Sequence, residues 1–572
     1  MKNCLPKWKA FHFSGCHPKK YKPNLLFIVL LLFGFSSPLF AQQAVTGRVT
    51  SSDTALAGVS VKVKGSNVVT QTNDNGEFTV NAPANSTLIF SSIGYGENEI
   101  NIGNRSVLQV NMLATSREME QVVVVGYGTQ RKSDLTGSIA SLTAKDIKNE
   151  AVTNLQTALV GKLAGVYAAT SSGQPGSGAM IRIRGFGTIN NNDPLYVVDG
   201  QFLSDINNIN PNDIERLEVL KDASATAIYG SRGSNGVVVI TTKKGITGEP
   251  VVSFDGYVGG TSSTFVPEAS DNTQLYNFLK ESYENDGLAF PDGITRLYQR
   301  GVNTDWWDVT TRTGLTQNYN VSVQGGNDKL KSILSLGYLE DNGFIRNTMY
   351  NRFTARWNSE YKLSSRITLG ANMSLIGSKQ RNMDGFSEPI WQIISADPFS
   401  YVYSPWVDET AANYRYNKYA PTEWAYTDNP LFLLESNNAY TKKLNLFGSA
   451  YANVKLFKGL SYNAQFSFDR PSATGNTFLP SFNAVPSELN MGRLKFRNQS
   501  VISSSASNSW NTIWQNTLNF NRDFGSHHLT ALAGITFENN RFETISGSKS
   551  TTPGNDPAYW VINAGTTAPN ER

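Results

Sequence analysis

The chain has 572 residues, 50 of them basic and 46 acidic, for a formal net charge of +4. Six of the basic residues, Lys2, Lys7, Lys9, Lys19, Lys20 and Lys22, lie in the first 41, which hold no acidic residue; the remainder sets 44 against 46, about −2, so no nucleic-acid partner follows. Cys4, Cys16, His12 and His17 lie there too, leaving only His527 and His528, so no catalytic residue, thiol chemistry, metal site or cofactor is expected.

The lysine-rich start, the apolar stretch Leu25 to Phe35 and the following SSPLFAQQ form the three regions of a secretory signal, expected to be cleaved after Ala41. An eleven-residue apolar run is short for a membrane span. The chain is therefore expected to be exported.

Residues 44–113 contain short β-prone runs separated by Gly, Asn and Asp turns, which predict a small β-sandwich. Val59, Val61 and Val63 fall on one face and Ser60, Lys62 and Lys64 on the other. Asn73, Asp74, Asn75 and Gly76 supply turn chemistry before Phe78; a calcium loop would need a bidentate Glu at EF-hand spacing, which is missing.

The run QVVVVGYGTQRKSDLTGSI at 121–139 has two readings. It is either a buried strand of the next domain, or an accessible peptide that adds a strand to another protein's sheet edge through its backbone. Its polar flanks, TSREME and TQRKSD, suit the accessible peptide.

Residues 132–245 mix helix and strand. TAKDIKNEAVTNLQTALVGKLAGV places Ile147, Leu155, Leu159 and Leu163 near helical spacing, with Gly165 as a stop, and predicts a helix. MIRIRG and PLYVVDG read as strands, the second ending at Asp199 and Gly200, and Asn210 to Asn212 start a short helix or turn. Glu215 and Glu218 lie near Arg216 and Lys221, where surface ion pairs are the default.

From residue 250 the period is two. Tyr319, Val321 and Val323 share a face opposite Asn318, Asn320, Ser322 and Gln324. The same alternation recurs at Leu334 to Tyr338, Phe353 to Trp357, Ile367 to Met373, Tyr462 to Phe468 and Leu529 to Phe537, with Arg352 and Arg356 on a polar face. Long strands with one apolar and one wet face predict a membrane β-barrel; a soluble sandwich or propeller also alternates. Connections near 340–351, 455–460 and 522–527 read as short turns, and 376–440 as a long loop.

In order, the Val-rich run with Gly-Tyr-Gly-Thr-Gln, then LVGKLAGV, IRIRG, PLYVVDG and IERLEVLKDASATAIYGSRGSNGVVVITTKKG resemble the TonB box and plug of SusC/RagA-type TonB-dependent outer-membrane transporters. Residues 44–113 resemble the carboxypeptidase regulatory-like domain that precedes them in many such proteins. The resemblance implies a mainly β chain: signal peptide 1–41, regulatory-like sandwich 42–114, linker with TonB box 115–131, α/β plug 132–245, and the first part of an antiparallel transmembrane barrel 246–572.

It also implies import of an oligosaccharide, glycan or peptide across the lipid outer membrane of a Gram-negative bacterium. The partners implied are TonB, contacting Gln121, Val122, Val123, Val124, Val125 and Gly126, and a SusD-like lipoprotein. Arg184 and Arg232 are implied to pin plug to barrel wall. A siderophore or cobalamin receptor, a secreted adhesion or carbohydrate-binding protein, and, least, an enzyme are the alternatives. Nine or ten strands are expected after residue 250 against about 22 in a plug-filled barrel. The residues are therefore expected to be the N-terminal portion of a longer protein.

Overall fold

The computed structural model describes residues 42–566 except 52–53, 67, 93–94, 113–121, 126–127, 132–138, 149–150, 171, 382–388, 408–409, 411–414, 416–417, 426, 437, 482–498 and 526. The expected signal segment 1–41 lies outside the described residues, as do Gln121 and Gly126. Two compact units divide between Glu120 and Gln121.

The first unit is the β-sandwich. Strands β1 (Gln42–Ser51), β2 (Thr54–Ala55), β5 (Glu77–Pro83) and β8 (Val107–Asn111) form one sheet; β3 (Ser60–Val63), β4 (Val69–Gln71), β6 (Thr87–Ser91) and β7 (Asn98–Asn101) form the other. Strict alternation along β5 buries Phe78, Val80 and Ala82, and Val59, Val61 and Val63 face the same core. Phe78 meets Phe90 edge to face at 5.3 Å between ring centroids. Gly47 is required where β1 crosses this pair: a Cβ there would stand 2.3 Å from the Leu108 carbonyl. The Asn73 side chain is a plain turn former, its Oδ1 accepting the Asn75 and Glu77 amides at 3.0 and 2.9 Å.

The second unit opens with a hairpin, β9 (Val122–Val125) against β10 (Gly128–Arg131), Val125 opposite Gly128 and Val122 opposite Arg131. The α/β segment follows. β11 (Ile139–Thr143), β16 (Ile214–Leu220), β17 (Val237–Thr242), β14 (Leu195–Val198) and β15 (Gln201–Leu203) form a five-stranded sheet in that order, with β12 (Val166–Thr170) and β13 (Ala179–Ile183) as a separate hairpin. β17 is buried along its whole length: Val238 and Ile240 enter one core, Val237 and Val239 another.

The helix expected over 144–165 is a single short turn, Ala144–Lys148, followed by turns and a 3-10 segment at Thr157–Leu159. Ile147, Leu155, Leu159 and Leu163 are nevertheless all buried. Asn154 diverts the chain, accepting the Thr157 amide at 2.9 Å and donating to the Ser177 carbonyl at 2.9 Å, and Gly161 adopts φ +73. Glu218 also departs from expectation. It sits on central strand β16, fully buried, 3.3 Å from Arg216, rather than in a surface ion pair.

Nine long strands then run in sequence order as one antiparallel sheet: β18 (Gly248–Thr261), β19 (Gly314–Gly326), β20 (Leu330–Asn342), β21 (Met349–Lys362), β22 (Ile367–Arg381), β23 (Tyr440–Phe457), β24 (Leu460–Leu479), β25 (Val501–Phe524) and β26 (His527–Ser550). The sheet wraps the α/β segment, and Ile376 and Phe447 join its core. Its chemistry is inverted relative to a soluble sheet. Arg352, Arg356, Asn318, Asn320 and Asn358 are buried on the inner face, while Tyr319, Val321, Val323, Leu334, Leu336, Tyr338, Phe353 and Trp357 are 37–48% exposed on the outer.

Strand parity sorts the connections. The strand ends joined through 327–329, 363–366, 458–459 and 525–526 lie at one end of the sheet, and those joined through 262–313, 343–348, 382–439 and 480–500 at the other. The short 340–351 connection therefore belongs with the long loops, correcting its grouping with the other short turns. Two of these long connections are folded: the helix Asn272–Asn285 has a reciprocal cap between Asp271 and Gln274. Trp306 donates to the Asp397 carbonyl at 2.8 Å, joining the first connection to the third.

Candidate functional site: the buried polar contact between the α/β segment and the sheet

The contact is built at the ends of the central strands of the α/β sheet. β14 ends in the tight turn Asp199-Gly200, Asp199 at φ +49, and this aims its carboxylate outward. Asp199 accepts the Thr242 amide at 3.0 Å and the Thr242 hydroxyl at 2.7 Å, so two adjacent strand ends share one acceptor. Arg356 of β21 closes the group with an ion pair to Asp199. It donates also to Thr242 Oγ1 at 2.5 Å and Ser374 Oγ at 2.9 Å. Asn358 adds bonds to Thr242 Oγ1 at 3.0 Å and the Lys243 carbonyl at 2.7 Å.

Around this centre the same pattern repeats. Gln201 donates to the Phe468 carbonyl at 2.6 Å, and Gln465 to the Asp199 carbonyl at 3.3 Å. Asn210 both caps the 3-10 turn Pro211–Asp213, as its place before Pro211 predicts, and donates to Asn320 Oδ1 at 2.5 Å. Asp213 accepts from Ser335 at 2.6 Å; burial pushes its carboxyl above the ordinary range, although Arg356 and this bond oppose the shift. Nearer the loop end, Tyr350 donates to Asn208 at 2.7 Å and Gln380 to the Pro175 carbonyl at 2.8 Å.

The residues singled out in the sequence lie at different places. Arg232 reaches Glu538 of β26 at 2.5 Å and stands 5.5 Å above the Phe202 ring. Arg184, at φ +59 and about half exposed, pairs with Asp222 inside the α/β segment instead of reaching the sheet. Val122 to Val125 form β9, and within its two-stranded sheet this strand has β10 on one edge and no strand on the other among the described residues. Sequence reading missed the Asp199, Thr242, Arg356 and Asn358 group. Its traces were an Asp-Gly ending an apolar strand and arginines on the wet face of another.

An α/β segment packed against the polar face of an inside-out sheet is the arrangement to compare with known proteins. Residues 131–237 match the TonB-dependent receptor plug domain, and 45–124 the CarboxypepD_reg-like domain. The TonB-dependent receptor P26 of Formosa agariphila is 31% identical over 87% of this chain and 49% of its own length; SusC of Bacteroides thetaiotaomicron is 34% identical over 72% and 42%. This chain belongs to the SusC-type TonB-dependent receptors. It spans about half the length of the curated relatives it matches. The solved RagAB peptide transporter shares the fold, with a TM-score of 0.64 and 22% identity over 76% of this chain and 51% of that one.

In this SusC-type receptor the α/β segment is thus the plug and the nine-stranded sheet is barrel wall. The plug meets the wall through hydrogen bonds and an ion pair as well as apolar packing. Each neutral bond has a modest net worth, roughly 0.5–1.5 kcal/mol, because water can replace the partner once the surfaces part. A plug held this way is seated firmly yet separable bond by bond.

Proposed function

We propose that this chain is part of a TonB-coupled importer that carries an oligosaccharide, or a peptide, across the outer membrane together with a SusD-like lipoprotein. The observation that carries the proposal is the inverted sheet: buried arginines and amides against the plug, exposed Leu, Val and aromatic side chains outside. A soluble adhesion protein would hold that outer face against water at a large hydrophobic cost. Siderophore receptors are more distant relatives; the ferric enterobactin receptor PirA of Pseudomonas aeruginosa matches 36% of this chain. The chain's division is proposed as signal 1–41, sandwich 42–114, linker 115–131, plug 132–245 and wall 246–572.

In this reading the outer membrane supplies neither ATP nor a proton gradient, so work enters as force from TonB. The stretch Gln121 to Gly126 is the handle. TonB's strand pairs with the open edge of β9 or replaces β10, and backbone hydrogen bonds transmit tension to the plug. The plug's polar contacts then yield in turn, with Arg232 to Glu538 as a minor latch.

The test is Val123→Pro in the intact receptor. Proline removes one backbone donor and disfavours the added strand, so uptake of a labelled substrate should be abolished while surface binding and expression persist. Uptake at the wild-type rate would refute this handle.

A further inference from the structure

At the loop end, where connections 262–313, 343–348 and 382–439 meet, a pocket of about 340 Å³ is lined by Arg312, Arg346, Asn347, Arg415, Tyr419 and Glu435. Its size falls in the range of about 300–1,000 Å³ usual for small-ligand clefts. The backbone assembles it. A bridge between Thr311 and Ile345 brings the first two connections together, and Arg312 and Arg346 each follow a bridge partner directly. The Arg312 amide donates to the Phe344 carbonyl at 2.7 Å, and the Arg346 amide to the Thr310 carbonyl at 3.0 Å. Asn347 ties in the third connection, donating to the Leu434 carbonyl at 2.7 Å while accepting from Arg381.

The charge here is one-sided. Among the described residues Arg312, Arg346 and Arg415 line the site and Arg381 bonds to its Asn347, against one lining carboxylate, Glu435, which already accepts the Tyr419 hydroxyl. Lys418 adds a fifth cation, its ammonium 5.0 Å from the rings of both Tyr403 and Tyr419. Among the described residues neither Arg312 nor Arg346 forms an ion pair with a carboxylate, and both side chains are exposed. Grouped cations repel one another, and an anion that enters relieves this while accepting forked guanidinium bonds. An accessible ring stands beside them: Tyr403 lies 5.6 Å from the pocket's Tyr419 and is 47% exposed. Such rings take the C–H face of a sugar and leave its substituents free for the arginines.

We infer that this pocket is a substrate subsite for an anionic glycan, its acidic groups held by Arg312 and Arg346 and a sugar ring lying against the exposed Tyr403. The inference rests on the import reading, naming the substrate class it leaves open, but its test does not depend on transport. Outer-membrane vesicles bearing the intact receptor are titrated with fluorescent tri-galacturonate, with maltotriose of the same length, and with tri-glutamate. Tri-galacturonate should bind best, more weakly at high salt, and Arg312→Gln with Arg346→Gln should cut its affinity about tenfold or more.

Arg346→Gln alone, a change at an exposed side chain, should give a smaller loss in the same direction and guards against misfolding of the double variant. Equal binding of tri-galacturonate and maltotriose, or unchanged affinity in both variants, would overturn the subsite. A preference for tri-glutamate would overturn its assignment to a glycan. Val123→Pro should leave this binding intact, so lost coupling and a lost subsite are read separately.

Discussion

Arg356 on the wall and Asp199 at the end of a plug strand form an ion pair with side chains only 7% and 10% exposed, and Thr242 bonds to both. Charges that far from water persist because each has the other, with Thr242 bonded to both and Ser374 to Arg356, although Arg356 Nε finds no partner among the described residues. Removing one partner leaves an uncompensated charge, which costs roughly 3–5 kcal/mol. Arg356→Ala and Asp199→Ala should each lower the stability of the seated plug by about that amount, and the two combined should cost clearly less than the sum of the single losses. Denaturant unfolding of the four proteins as a double-mutant cycle measures the coupling. Additive losses would contradict it.

Arg232 and Glu538 form the contrasting pair, with side chains 46% and 19% exposed. Solvent screens such a pair to about 0–1 kcal/mol. Arg232→Ala should therefore change the unfolding midpoint little, and raising salt should erase the difference from wild type. A loss matching that of Arg356→Ala would contradict this.

Asp213 predicts a pH dependence. Burial raises its carboxyl above the ordinary value of 3.8, so the folded plug holds this proton at pH values where the unfolded chain has released it. Its favourable contribution is full below 3.8 and is lost as pH rises through the folded value. Asp213→Asn keeps an acceptor for the Ser335 hydroxyl and removes the titration. The variant should gain stability over wild type as pH increases from 3.8 toward neutrality, read as unfolding midpoints across that range; a constant difference would refute it.

The sandwich should fold alone. Residues 42–113 hold a closed core of their own, including Val61, Phe78, Leu88 and Phe90. The isolated fragment is expected to unfold cooperatively in urea, and Phe78→Ala to cost about 3–5 kcal/mol through the cavity left beside Phe90. A fragment without a cooperative transition would contradict this.

Patterns carried by neighbours in the chain were legible from the residues alone. Side chains alternate along a strand whatever the strand pairs with, so Tyr319, Val321 and Val323 separated from Asn318 and Asn320, and Val59, Val61 and Val63 from Lys62, before any fold was known. The ordered motifs from the valine run to VVVITTKKG likewise pointed to the family. Local spacing misled where a side chain competed with the backbone: Leu155, Leu159 and Leu163 keep a helical rhythm, yet Asn154 and Gly161 break the helix and the same residues reach the core from turns.

What only the tertiary structure decided depended on partners far along the chain. Arg184 and Arg232 look alike in sequence, each beside a glycine. One finds Asp222, 38 residues away, within the plug, and the other Glu538, 306 residues away, on the wall. Glu218 is buried on the interior strand β16, where what packs over its face of the sheet comes from elsewhere in the chain and is not encoded by its own neighbours. The side of the sheet to which 343–348 belongs follows from counting strands, not from loop length. The arginines of the loop-end pocket come from three connections, and the Thr311 to Ile345 bridge that unites them is a long-range pairing. Its formation depends on closing the intervening chain, a cost that short-range pattern does not register.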